Sequence, residues 1–124
     1  MSDAQHRSRA WPTELKVNAA RDMLTVSFDD GKKHELASEY LRVESPSAEV
    51  QGHGPLERQI VPRKRHVKIL RLEPVGHYAV RIVFDDGHDT GLFTWAYLLE
   101  LAQDHDKKWP AYLEGLATAG LKRE

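Results

Sequence analysis

The stretch YAVRIVFDDGH, Tyr78 to His88, decides the fold. Tyr78, Val80, Ile82 and Phe84 alternate with Ala79, Arg81, Val83 and Asp85, the period-two pattern of a strand with one face in a core. Asp85-Asp86-Gly87 then turns the chain, because Asp and Gly tolerate the positive φ of a tight hairpin turn, and a partner strand is expected over His88–Phe93. Upstream, His66 to Glu73 reads as a further strand, joined to Tyr78 through Pro74-Val75-Gly76. The same four letters, FDDG, occur earlier as Phe28 to Gly31. Leu24, Val26 and Phe28 alternate there with Thr25 and Ser27, and Lys32 to Leu36 resumes an extended pattern. Two carboxylates side by side also suit acid–base catalysis, but a hairpin turn is a sufficient cause for the repeated pair.

Each hairpin leads into a helical segment carrying Tyr-Leu, at Tyr40-Leu41 and Tyr97-Leu98, which points to a weak duplication of a hairpin-plus-helix unit. Ala37 to Leu41 reads as a short helical turn. Thr94 can cap a longer helix with Trp95, Leu98, Leu99 and Ala102 at i, i+3, i+4 and i+7. A last helix is expected from Asp106 to Thr118, with Trp109, Tyr112, Leu113 and Leu116 as its stripe, Pro110 in the first turn and Gly120 at the stop. The fold class is therefore α+β, a small antiparallel β-sheet built from hairpins with two to three packed helices. A chain of 124 residues, 40% hydrophobic and 30% charged, suits one such domain. The domain is expected over 13–120, behind a flexible polar tail at 1–12 and interrupted by a long loop at 43–65.

The net charge of −1 gives no global drive toward nucleic acid or an anionic membrane. No cysteine is present, which excludes disulfides, thiolate nucleophiles and Cys-based metal sites. No apolar run is long enough to span a bilayer, and the N-terminus lacks the apolar core of a secretory signal, so a cytoplasmic protein is expected. The loop VESPSAEVQGHGPLERQIVPRKR, residues 43–65, is rich in Pro, Gly, Ser and charge. Loops of this length are functional or unstructured, so specific binding is sought there first.

Seven histidines invite a metal hypothesis, with His53 between two glycines, His88 after the second turn and His34 in a comparable place after the first. None has the His-x-x-x-His or His-x-Asp spacing of a preorganised site, and the simpler reading is surface or hydrogen-bonded imidazoles. Arg63, Lys64, Arg65 and His66, with Lys68 and Arg71, could contact phosphate, but such a run more often solvates a strand edge. Ser45 and Ser47 flank Pro46 without a nucleophile-elbow motif, and no phosphate-cradling loop occurs. No catalytic constellation is visible.

Four stretches together carry a family resemblance: LRVESPSAEVQGHG (41–54), EPVGHYAVRIVFDDGHDTGLFTW (73–95), YLLEL (97–101) and the first FDDG. Over roughly residues 13–104 the chain resembles the gamma-butyrobetaine hydroxylase-like N-terminal domain family, whose small bacterial members form a domain of unknown function. The resemblance implies a compact α+β domain. In the large eukaryotic hydroxylases it precedes an iron- and 2-oxoglutarate-dependent catalytic domain and holds zinc through three cysteines and a histidine. The family's loop reads Leu-Arg-x-x-Cys-Pro-Cys-x-x-Cys. Leu41, Arg42 and Pro46 match it, whereas Ser45, Ser47 and Val50 stand at the cysteine positions and His88 at the histidine. Zinc is not expected to carry over, since three of four ligands are absent and one imidazole cannot hold it tetrahedrally. A rebuilt site of His53, His88 and Glu44 is the alternative.

Similar domains also occur fused to P-loop carriers of iron–sulfur assembly. The resemblance thus implies a non-catalytic accessory or protein-interaction module, without a cofactor, whose partner belongs to a metalloprotein or iron–sulfur pathway. His53, Arg63, Lys64 and Arg65 are the candidate partner-binding residues. Nucleic-acid binding through Arg63, Lys64, Arg65 and Lys68 is the weaker expectation, and no membrane contact is expected.

Overall fold

Leu24, Val26 and Phe28 are buried on one face of a strand, and Val80, Ile82 and Phe84 are buried on another, as their alternation requires. The computed structural model describes residues 11–47 and 60–124. In chain order the elements are β1 (Pro12–Val17), β2 (Met23–Phe28), β3 (Lys33–Ala37), α1 (Ser38–Val43), β4 (Ile69–Val75), β5 (Ala79–Phe84), β6 (Leu92–Thr94), α2 (Trp95–Gln103) and α3 (His105–Ala119). The hairpins form two antiparallel three-stranded sheets, ordered β1-β2-β3 and β4-β5-β6. One core joins both sheets, with Leu24, Val26 and Leu36 from the first, Ile69, Ile82 and Phe93 from the second, and Tyr40, Leu98 and Leu101 from the helices. No helix among the described residues is long and apolar enough to cross a membrane.

The two FDDG turns are one structural device used twice. Gly31 and Gly87 have φ of 85° and 91°, the left-handed region that only glycine enters without strain. Gly31 N–H donates to the Phe28 carbonyl and Gly87 N–H to that of Phe84, at 3.0 and 3.3 Å. Phe28 N–H reaches the Lys32 carbonyl and Phe84 N–H that of His88, at 2.9 and 3.0 Å. The second aspartate of each pair accepts from the backbone two residues on, Lys32 to Asp30 at 2.9 Å and His88 to Asp86 at 3.1 Å. Both outer pairings shift register at corresponding places, between Pro12 and Glu14 and between Ile69 and Arg71.

The duplication extends beyond hairpin plus helix to a three-strand-plus-helix unit, β1-β2-β3-α1 and β4-β5-β6-α2. The units clasp each other reciprocally. Tyr40 OH on α1 donates to the Leu101 carbonyl at 2.7 Å, and Tyr97 OH on α2 donates to the Glu44 carbonyl at 2.6 Å. Each tyrosine thus reaches the residue four positions after its counterpart. Burial raises the pKa of Tyr40 strongly, so it stays a neutral donor.

Several boundaries differ from those read in the sequence. β1 was not anticipated. It is an edge strand with no fully buried residue, and only Leu15 and Val17 pack on the core. Tyr78 is 54% exposed, not on the core face, because it lies in the turn before β5. Pro74 and Val75 pair within β4 rather than turning the chain, and Pro74 sits where an outer strand tolerates a missing N–H. His66–Lys68 precede β4, and His88–Thr90 precede β6. Pro110 lies inside α3, beyond its first turn, because that helix begins at His105. Residues 1–10 of the expected tail lie outside the described residues, while Trp11 already accepts from Asp29 N–H at 3.0 Å.

α1 is buried along its whole length, charged residues included, with Glu39 6% and Arg42 2% exposed. Arg123, after α3, holds Glu39 with two charge-assisted hydrogen bonds of 2.9 and 2.7 Å, and its guanidinium lies 5.4 Å from the Trp109 ring centre. Gly120, at φ 70°, stops α3 and turns the chain toward that contact. Removing one partner of a buried pair strands a charge, at a cost lessened here because Arg123 is partly exposed. Arg123→Ala is expected to lose about 2 kcal/mol in urea unfolding, with part recovered when Glu39→Gln is added. A loss under about 0.5 kcal/mol, the scale of an exposed pair, would show that Glu39 is solvated.

Candidate functional site

Subtracting the duplicated scaffold leaves the features that only the second unit carries. They gather where the end of α1 meets the β5–β6 turn. In the first unit Asp30 is exposed and serves its own turn. In the second unit the Asp86 side chain is only 19% exposed, and Arg42 Nε reaches it at 2.8 Å while Lys64 Nζ lies 2.5 Å away. Lys32 follows the first turn into solvent, whereas its counterpart His88 is buried. His88 Nε2 lies 3.0 Å from Ser45 Oγ, and Ser45 is fully buried. Gly91 completes the corner. A Cβ there would run into Ser45 Oγ, so the glycine makes room for the hydroxyl.

Burial alone would disfavour the charged form of Asp86 and is the largest single influence on it. Lys64, the His88 backbone N–H and Arg42 together outweigh it and hold the carboxyl down at about 2. The group is thus more acidic folded than unfolded. The stability it contributes is full above its unfolded pKa of 3.8 and is lost as pH falls through about 2.

The residues expected from the sequence fall into three groups. Ser45 and His88 are brought together. Glu44 is buried, with its carbonyl bound to Tyr97, and Ser47 is buried with no partner for its hydroxyl among the described residues. Val50 and His53 lie outside the described residues. Of the basic run, Lys64 is on Asp86, Arg65 lies 3.8 Å from Glu124 and His66 3.2 Å from the same carboxylate. Arg63 has φ 64°, uncommon for a side-chain-bearing residue, and its N–H donates to the Lys122 carbonyl at 2.9 Å. The pairing of Arg42 with Asp86 went unread in the sequence. An ion pair 44 residues apart has no periodicity to reveal it.

The corner does not fit a zinc site of three cysteines and a histidine. Zinc sites of that kind need thiolates, and the side chains here are a neutral hydroxyl and an imidazole already hydrogen-bonded to each other. No group of three or more His, Asp or Glu that could hold a metal ion occurs among the described residues. The Ser–His contact superficially suits a nucleophile and base, but Ser45 is shielded, and Asp86 contacts the His88 backbone and two cations. What the corner does chemically is fasten the β5–β6 turn to α1.

The chain is a small α+β domain built on a duplicated unit. Residues 15–99 match the family described as gamma-butyrobetaine hydroxylase-like, N-terminal. The chain belongs to that family. Two solution NMR structures are similar to it, at 45% and 46% identity with TM-scores of 0.79 and 0.80. Both alignments cover 93% of this chain, and 90% and 86% of theirs. A crystal structure of a protein of unknown function in the DUF971 family, from Acidithiobacillus ferrooxidans, is 41% identical with a TM-score of 0.63. That alignment covers 77% of this chain and 94% of the other. No curated protein matches the chain.

Asp86→Asn is expected to lower stability at neutral pH by about 2 kcal/mol, the free energy of holding its carboxyl at about 2 in place of 3.8. The gap to the parent should close as pH falls from about 4 toward 2, measured by urea unfolding at each pH. Parallel curves over that range would mean that Asp86 is not the group responsible.

Proposed function

We propose that the chain is a non-catalytic binding module that docks a protein partner through the segment around Arg63–Arg65 and the loop that precedes it. The observation that carries this reading is the placement of Arg63. Its side chain is exposed, it forms no ion pair among the described residues, and its backbone is fixed in a left-handed conformation against Lys122. A charged side chain held outward on a pinned backbone suits recognition, since the backbone has little entropy left to lose and only the side-chain rotamers remain to be ordered. The family resemblance to domains joined to hydroxylases and iron–sulfur carriers supports an accessory role beside a metalloprotein.

The two other readings have less support. A rebuilt metal site would need His88, whose Nε2 faces Ser45, and His53, outside the described residues. Nucleic-acid binding would use a basic run in which Lys64 is already held by Asp86, and no recognition motif accompanies that run.

A photo-crosslinking side chain at Arg63, in the full chain expressed in its native cells, tests the reading, with the same group at exposed Glu14 as control. One recurring protein is expected at Arg63 and not at Glu14, and the purified pair should shield residues 48–65 from trypsin. Identical captures at both positions, or a pair that leaves the segment open to cleavage, would remove the module reading.

A further inference from the structure

Of the outer strands, β4 and β1 are poor candidates for partner binding by strand addition. At the start of β4, Arg21 Nη1 occupies the carbonyls of Ile69 and Leu70, at 3.3 and 2.7 Å, and Pro74 removes a donor near its end. β1 opens with a proline and carries exposed Glu14 and Lys16. A groove of about 350 Å³ lies between the end of α3 and residues 121–124. Its floor is apolar, formed by Leu113, Leu116, Ala117 and Leu121, and Leu121 is 39% exposed.

The rim of this groove is cationic. Arg65 and Lys122 flank it; Arg65 meets Glu124 only loosely, at 3.8 Å with both side chains exposed, and Lys122 has no ion-pair partner among the described residues. Arg123 is engaged by Glu39, so Glu124 is the one carboxylate on the rim, and its side chain is 62% exposed. Backbone hydrogen bonds from Arg63 and Arg65 to Lys122 and Arg123, at 2.9 and 3.0 Å, bring Arg63 alongside as a further exposed cation. The local excess of positive charge stands on a chain whose net charge is −1. Apolar floor and cationic rim together select an occupant with apolar side chains on one face and carboxylates beside them.

We infer that this groove takes a short acidic, amphipathic segment of a partner protein, anchored on Leu113, Ala117 and Leu121 and held by Arg65 and Lys122. The inference rests on the module reading and names the chemistry of its partner. Carboxylates near Arg65 and Lys122 speed encounter and set orientation, and the apolar anchors supply the slow dissociation.

The test is an NMR titration of the ¹⁵N-labelled full chain with a 12-residue synthetic peptide of leucine and glutamate in helical spacing. Its lysine-for-glutamate counterpart and an oligothymidylate are run as comparisons. The acidic peptide is expected to shift the amides of Leu113, Ala117 and Leu121 saturably. Arg65→Glu combined with Lys122→Glu should raise Kd at least tenfold without changing Tm, and Leu121→Glu should do the same. Equal binding of the lysine peptide would overturn the charge selection. Stronger binding of the oligonucleotide, with steep salt dependence, would assign the rim to nucleic acid. Shifts that follow protein concentration alone would assign the groove to a second copy of this chain. Failure of the acidic peptide while Arg63 still captures a protein overturns this groove and leaves the module reading standing. Failure of both removes the two together.

Discussion

Everything in this fold depends on the burial of one six-residue helix that carries charge. α1 lies in the interior with Glu39 and Arg42 almost wholly removed from water. A charge so placed costs several kcal/mol unless it is paired and hydrogen-bonded. The chain meets that requirement from two distant places. Arg123, 84 residues along, closes on Glu39, and Asp86, 44 residues along, closes on Arg42. The course of the chain after α3, and the approach of the β5–β6 turn to α1, follow from these needs. Leu41 and Tyr40 on the same helix fill the shared core, so a shift that broke an ion pair would also open the packing.

The two halves solve the same local problem in the same way, and their differences carry the specific features. Both turns use glycine at positive φ and an aspartate that accepts from the backbone two residues on. Both helices send a tyrosine to a carbonyl of the other unit. Only the second turn gains Arg42 and Lys64 on its aspartate and a buried histidine on Ser45. The duplicated frame explains why the domain is stable as a small α+β unit. The additions explain why its two faces are not equivalent, and why partner recognition is sought beside Lys64 and Arg65 rather than around Asp30.

The hairpins were legible because their signals are local. Alternation at Leu24–Phe28 and Val80–Phe84 and the Asp-Gly turns lie within a few residues. Thr94 and the i, i+3, i+4 stripe did the same for α2, whose Tyr97 N–H bonds Thr94 Oγ1 at 3.1 Å. β1 was illegible because an edge strand buries little, and Leu15 and Val17 alone make no pattern. The long-range ion pairs were illegible because nothing in the order of residues ties Glu39 to Arg123. Ser45 beside His88 was reachable only through the family resemblance, which placed both in one corner. The groove beside Leu121 left no trace in the sequence, where Leu-Lys-Arg-Glu reads as a polar end.

α1, fastened by charges from two distant places later in the chain, is the keystone of the native state. Native-state hydrogen exchange measures this directly, by comparing the opening free energies of individual amides as denaturant is added. The helical amides of α1 are expected to exchange only through global unfolding, together with those of the central strands β2 and β5. Exchange of Tyr40–Val43 through a smaller opening, while β2 and β5 stay protected, would contradict the claim and make α1 a peripheral element laid over two self-sufficient sheets.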